Sequence, residues 1–140
     1  ARTAPDEELL ALLAKYGIAP DAVTLWGTGT PLREFLWSEE MADACVYIME
    51  HVDFDDLRDE TNEVRNCHIN IGTGKEIAIR ELAQLVARTA GYRGTLAFDA
   101  SKPDGTMRKL TDVSKLHALG WHHRVEIDEG VERMYRWYLQ

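Results

Sequence analysis

The sequence is poor in cysteine: Cys45 and Cys67 are the only two in 140 residues. That excludes a disulfide framework and points to a reducing, cytoplasmic setting. No run approaches the roughly 20 apolar residues that cross a bilayer, and Ala1 to Glu8 lack the basic-then-apolar order of a secretory leader. Basic residues are also scarce, with 16 Lys and Arg against 24 Asp and Glu and a formal net charge of −8. Such a balance argues against nucleic acid or an acidic membrane surface as the main partner. The chain opens without Met and runs directly into a helix-like segment, which fits a piece of a longer protein.

Several chemical signatures are missing as well. No Tyr is followed four residues later by Lys, so the acid/base pair of a short-chain dehydrogenase cannot be assembled here. Gly27-Thr28-Gly29 would begin a dinucleotide fingerprint only if glycine or alanine followed at position 32, which is Leu32. Gly72-Thr73-Gly74 fails in the same way at Ile77, and Gly74-Lys75-Glu76 departs from a P-loop. Both runs read as tight turns. No CxxC or HExxH spacing exists, so no metal site is expected. The two cysteines, with no basic partner to activate them, read as inert packing residues.

What remains is a well-patterned chain. Apolar residues make up 45% of it, enough for one core, and 140 residues predict a single domain over 1–140. A helix is predicted from Pro5 to Gly17 and a strand at Val23–Trp26. A second extended stretch is predicted at Glu34–Trp37, then a helix capped by Ser38 and running to about Val52. Residues 53–66 are mostly charged and read as a surface excursion. Cys67–Ile71 alternates as a strand, Ile77 to Ala90 follows a helical period, and Thr95–Phe98 is a further strand. Short and long helices are predicted at Val113–Leu119 and Asp128–Leu139. The order implies an α/β (α+β) fold, a small mixed sheet with flanking helices.

One composite feature suggests a ligand. Trp26 ends a strand at a glycine turn, where backbone can be approached closely, and Arg33 follows with a guanidinium suited to phosphate. Far along the chain, Ser101 to Lys109 combines a Pro-led turn with Lys102, Arg108, Lys109 and the carboxylate of Asp104. Aromatic surface, cations and a hydroxyl-binding carboxylate are what a sugar nucleotide requires. On spacing alone, a solvated basic loop accounts for the same residues.

Three longer segments carry a resemblance. Trp26 to Leu36 resembles the WG(T/S)GTPxREFL segment of GDP-L-fucose synthases. His68–Gly74 with Ile79–Ala83 is similar to their HINxGTG…IRELA segment. Phe98–Thr106, Arg108–Leu110 and Asp112–Val113 resemble their FDxSKPDGTxRKLxDV segment. The resemblance runs from about Val23 to the end and implies an extended short-chain dehydrogenase/reductase, with 1–20 as a helical insertion relative to it. Its members convert GDP-4-keto-6-deoxy-D-mannose to GDP-L-fucose by epimerisation and NADPH-dependent reduction. It implies that this chain is the C-terminal, GDP-sugar-binding portion, inactive in isolation, with no cofactor site of its own. The Rossmann half with NADPH and the Ser-Tyr-Lys machinery would lie outside it, and the helix after Ser38 and the Ile69–Gly72 strand would pack onto that half. The matching substrate-contacting residues are Trp26 for packing, Arg33 and Lys109 for the phosphates and nucleotide end, and Asp104 for a hydroxyl or amine. Uncovering the apolar face of the missing half implies self-association. Two alternatives stay open: the same portion of another sugar-nucleotide epimerase or dehydratase, and a non-catalytic partner-binding module. The departures from the pattern are Trp37-Ser38-Glu39-Glu40 for aromatic-Val-Asp-Asp, and Met107 for proline.

Overall fold

The computed structural model describes residues 6–58 and 64–140. The expected 1–20 insertion and 53–66 excursion therefore lie partly outside the described residues. In chain order the elements are α1 (Asp6–Ala14), β1 (Ala22–Trp26), β2 (Leu32–Arg33), α2 (Ser38–His51), a 3₁₀ turn (Phe54–Leu57), β3 (Ile77–Ala78), α3 (Ile79–Thr89), β4 (Thr95–Asp99), α4 (Ser114–Ala118) and α5 (Ile127–Tyr138). This is a mixed α/β chain with two small sheets, β1 with β4 and β2 with β3. It divides into two compact units: one takes the chain up to Leu32 with Ile77–Arg108, the other takes Arg33–Glu76 with Lys109–Tyr138.

In the first unit β1 and β4 pair in parallel, from Ala22 opposite Thr95 to Trp26 opposite Asp99. A parallel pair needs a long crossover rather than a hairpin, and the chain between them supplies α3. The ladder extends past its end, with the Gly27 N–H donating to the Asp99 carbonyl at 2.9 Å. Val23, Leu25 and Leu96 point to the face that α3 flanks with Leu82, Ala83 and Val86. Between them lies an open apolar cleft of about 360 Å³. Leu9, Leu10 and Leu12 of α1 are exposed rather than packed.

The second unit is built on α2. The core is Ala44, Leu116 and Trp121, with Leu36, Tyr47, Ile48, Ile69 and Ile71 packed around it. One polar stripe of α2 holds the loop between α4 and α5. Glu40, only 5% exposed, accepts the backbone N–H groups of Arg124 and Val125. Asp43 accepts the Trp121 indole N–H at 2.9 Å, and the Tyr47 hydroxyl donates to the Leu119 carbonyl at 2.8 Å. Residues spaced three and four apart share one helix face, so the three contacts act along a single line.

Four expectations shift. The second extended stretch is not at Glu34–Trp37: the paired strand is Leu32–Arg33, and the residues after it form no regular element. Ser38 is the first helical residue of α2 rather than its cap. Trp37 takes the cap position, its carbonyl accepting from Glu40 and Met41, with no side-chain cap bond. Cys67–Ile71 keeps its alternation, with Cys67, Ile69 and Ile71 half-buried and His68 and Asn70 exposed, yet it joins no ladder among the described residues. Period-two burial needs only an extended chain over a core, whereas a strand needs a neighbour. Cys45 is exposed on α2, not packed.

The Glu40 contacts yield a stability test. Glu40→Ala strands two backbone donors in a buried site and should destabilise the chain by at least about 2 kcal/mol. Glu39→Ala loses an exposed bond to the Trp37 indole and should cost no more than about 0.5 kcal/mol. Urea unfolding of the two variants checks the difference.

Candidate functional site

Trp26 stands at the end of β1, 76% exposed, with the Lys102 ammonium 5.7 Å from the ring centroid. The turn after it is held from two sides. On one side Asp104 accepts the Thr28 N–H at 2.6 Å and the Thr28 hydroxyl at 2.7 Å, one on each carboxylate oxygen. On the other, the Arg80 guanidinium donates to the Thr28 carbonyl at 2.7 Å and lies 4.8 Å over the Phe98 ring. Gly27 and Gly29 both have positive φ, 82° and 74°. A Cβ at Gly27 would meet Asp104 Oδ1 at 2.3 Å, and one at Gly29 would meet the Phe98 ring at 2.4 Å. Glycine is therefore required twice over, by conformation and by space. Asp104 thus has a job within the chain: two of the roughly four acceptor positions of its carboxylate fix the turn that presents Trp26.

The second unit repeats the arrangement with Glu34. Its Oε1 accepts the N–H groups of Thr73 at 2.6 Å and Gly74 at 2.7 Å, and its Oε2 accepts the Thr111 N–H at 3.0 Å. The Thr73 hydroxyl adds a longer bond at 3.2 Å. Gly72 makes room, since a Cβ there would lie 2.5 Å from Glu34 Oε1. Burial raises the Glu34 pKa, but the Thr111 hydroxyl and the amides of Gly74, Thr111 and Thr73 outweigh it and hold the carboxyl below its ordinary value. Arg33, half-buried, precedes Glu34, and the exposed Lys109 lies two residues before Thr111.

The four expected site residues therefore divide. Trp26 and Asp104 belong to the first unit, Arg33 and Lys109 to the second. The basic cluster of Lys102, Arg108 and Lys109 divides between Arg108 and Lys109. Sequence reasoning passed over Glu34, Arg80 and Thr28. The available signal was each Gly-Thr-Gly run itself, a turn whose amides need an acceptor from somewhere. Lys75 pairs with Glu126 on the surface, both side chains more than half exposed, and His122 stacks on His117 at 4.2 Å. Among the described residues no group of three or more His, Cys, Asp or Glu is placed to hold a metal. Nor is any helix among them long and apolar enough to cross a membrane.

The sequence model of the NAD dependent epimerase/dehydratase family matches residues 3–72. The chain belongs to this family. GDP-L-fucose synthase from Escherichia coli K12 is 48% identical over 122 residues, 87% of this chain and 37% of that protein. Among solved structures, a GDP-6-OMe-4-keto-L-xylo-heptose reductase from Campylobacter jejuni superposes with a TM-score of 0.91 at 42% identity. It covers 98% of this chain and 39% of its own. A GDP-D-glycero-L-gluco-heptose synthase from Campylobacter jejuni, solved in the presence of NADPH, gives 0.89 at 40% identity over 99% of this chain and 39% of its own. The chain spans about a third of the length of the curated relatives it matches.

The family is named for a dinucleotide, and the two glycine turns here do not fit one. A pyrophosphate would need the free N–H groups of a glycine turn. In this chain the amides of Thr28, Thr73 and Gly74 are already given to Asp104 and Glu34.

The depressed Glu34 pKa sets a sign. Its stabilisation is fully present above the unfolded value near 4.5 and is lost as pH falls through the lower folded value. Glu34→Gln, which puts an amide N–H against backbone donors, should destabilise the chain by about 1–3 kcal/mol at pH 7. The gap in Tm between wild type and Glu34→Gln should narrow as the pH is taken below that value. Thermal melts across pH 3 to 7, about four units spanning the carboxylate range, measure it.

Proposed function

We propose that this chain is the GDP-sugar-binding portion of a GDP-L-fucose synthase, acting within an intact protein on GDP-4-keto-6-deoxy-D-mannose. The observation that carries the reading is the 48% identity to the E. coli enzyme across most of the chain, which includes the segments bearing Trp26, Arg33, Asp104 and Lys109. Trp26, exposed and backed by Lys102, supplies an aromatic face. Asp104 fixes its turn and keeps acceptor capacity for a hydroxyl or amine. Arg33 and Lys109 supply charge for a diphosphate, Arg33 with a fork that matches phosphate oxygens.

NADPH and the catalytic acid/base pair come from elsewhere in the intact protein on this reading. No Tyr-x-x-x-Lys occurs in these 140 residues, and the glycine turns are occupied from within. Free thiols at Cys45 and Cys67 accord with a cytoplasmic setting. The apolar cleft of the first unit and, separately, exposed Met41, Val46 and Met49 on α2 are surfaces of the kind that find partners. We assign them to the remainder of the protein, and to self-association when the chain is alone.

A second reading is supported by the two Campylobacter structures, whose names describe GDP-heptose chemistry at 40–42% identity. Under it the nucleotide end is unchanged and the sugar differs. NADPH oxidation by the intact protein, with GDP-4-keto-6-deoxy-D-mannose against a GDP-4-keto-heptose, separates the two.

The isolated chain should oxidise no NADPH with either keto-sugar, while binding GDP in preference to UDP. Turnover by the chain alone, or indifference to the base, would sink the assignment. Light scattering should find it larger than a monomer. In the intact protein, Arg33→Ala or Lys109→Ala should each weaken GDP-sugar binding by about 1.5–3 kcal/mol, the range for a hydrogen bond to charge. Arg33→Lys should still weaken it, since charge is kept and the fork lost. Lys75→Ala and His122→Ala should bind as wild type, because an exposed pair of the Lys75 kind contributes about 0–1 kcal/mol and only to stability.

A further inference from the structure

We propose that Glu34 is a positioning residue for the diphosphate: its carboxylate fixes the backbone that carries Arg33 to the backbone that carries Lys109. This deepens the reading above and rests on its assignment of those two cations. Glu34, the amides it holds and both cations belong to the second unit.

Three separate stretches of chain meet at one carboxylate. Glu34 Oε1 takes the amides of Thr73 and Gly74, and Oε2 takes that of Thr111. Arg33 is the residue before Glu34, so its Cα is about 3.8 Å from that of Glu34. Lys109 is two residues before Thr111, within about 7 Å along the chain. No regular element carries Lys109: residues 100–113 contain no helix or strand. A lysine on such a segment wanders unless the segment is tied on both sides of it: the Met107 carbonyl, two residues before, accepts the Leu32 N–H at 2.8 Å, and the Thr111 N–H, two residues after, is held by Glu34.

A diphosphate presents fixed charges, and two cations already held at the matching separation bind it without first being ordered. Releasing the tie leaves both charges present but makes the ligand bear the cost of gathering them. The loss therefore falls on phosphate affinity and leaves the base alone. Neither cation is assigned a proton transfer, so KM should move and kcat should not.

Gly72 supplies an independent handle. Its φ is not positive, so alanine is conformationally acceptable, yet the added Cβ would meet Glu34 Oε1 at 2.5 Å. Gly72→Ala displaces the carboxylate from its amides while every charged group stays in the protein.

The experiment measures GDP and guanosine binding by titration calorimetry, and steady-state KM and kcat, on the intact protein. The variants are Glu34→Gln, Gly72→Ala, Arg33→Ala, Lys109→Ala, and Glu34→Gln added to the Arg33→Ala/Lys109→Ala pair. We expect Glu34→Gln and Gly72→Ala each to weaken GDP about tenfold, the scale of one lost charged hydrogen bond. Guanosine affinity and kcat should stay within about twofold of wild type, well below that scale. In the double-cation background Glu34→Gln should have no further effect on GDP. A purely structural Glu34 would lower GDP and guanosine together, or would act equally with the cations gone, and either result overturns the proposal. So does wild-type GDP affinity in Gly72→Ala, which stands as the deciding variant where Glu34→Gln does not fold. Wild-type GDP affinity in Arg33→Ala and Lys109→Ala is a different failure: it removes the cation assignment itself, and the positioning role goes with it.

Discussion

In each unit a carboxylate from a distant stretch of chain closes a glycine turn. Asp104 reaches the Thr28 amide across 76 residues of sequence, and Glu34 reaches Thr73, Gly74 and Thr111. A tight glycine turn exposes backbone N–H groups that cannot be left unpaired once partly buried. In dinucleotide-binding folds the ligand's pyrophosphate meets that need. Here an internal carboxylate meets it, and the bond ties the chain to itself. Because a charged acceptor makes shorter and stronger bonds, one side chain is enough to fix a segment with no helix or strand of its own.

Helix α2 applies the same logic to a different task. Its first turn carries Glu39 and Glu40, the usual place for acidic residues at a helix N-terminus. Their roles then separate by face. Glu39 remains in solvent beside the Trp37 indole, whereas Glu40 turns inward to accept two loop amides. The loop from Leu119 to Val125 has no regular structure, so its backbone donors need acceptors from elsewhere. Glu40, together with Asp43 on the Trp121 indole, provides them beside the small Ala44–Leu116–Trp121 core. The departure from the family's aromatic-Val-Asp-Asp pattern at this point thus still presents an acid where the loop needs one.

Local pattern made much of this readable in advance. β1 and β4 came from short runs of β-branched and aromatic residues ended by polar turns, and α3 and α5 from a clear helical period, because each of those signals lies within one element. Cys67–Ile71 was misleading for a physical reason: alternation reports which side chains meet the core, and says nothing about a hydrogen-bonded neighbour. Ser38 was misleading because a cap is defined by which carbonyl accepts the first helical bond, and that carbonyl belongs to Trp37. Trp26, Arg33, Asp104 and Lys109 entered as candidates through a family resemblance. The grip of Asp104 on Thr28 and the whole role of Glu34 could not enter that way. Both rest on pairings about 40 to 80 residues apart, far beyond any local period.

Both glycine turns commit their amides within the chain. Recognition of a nucleoside diphosphate asks for an aromatic face, cations and hydrogen-bond acceptors on a stiff backbone. Hydride transfer asks in addition for a dinucleotide cradle and a tuned acid/base pair. In this chain both turns are braced by carboxylates of the chain itself, Asp104 on Thr28 and Glu34 on Thr73 and Gly74. A dinucleotide cradle on these turns would require the Thr28, Thr73 and Gly74 amides to be free, and freeing them would undo the bracing. A pyrophosphate on either turn would have to compete with an internal carboxylate for the same backbone groups.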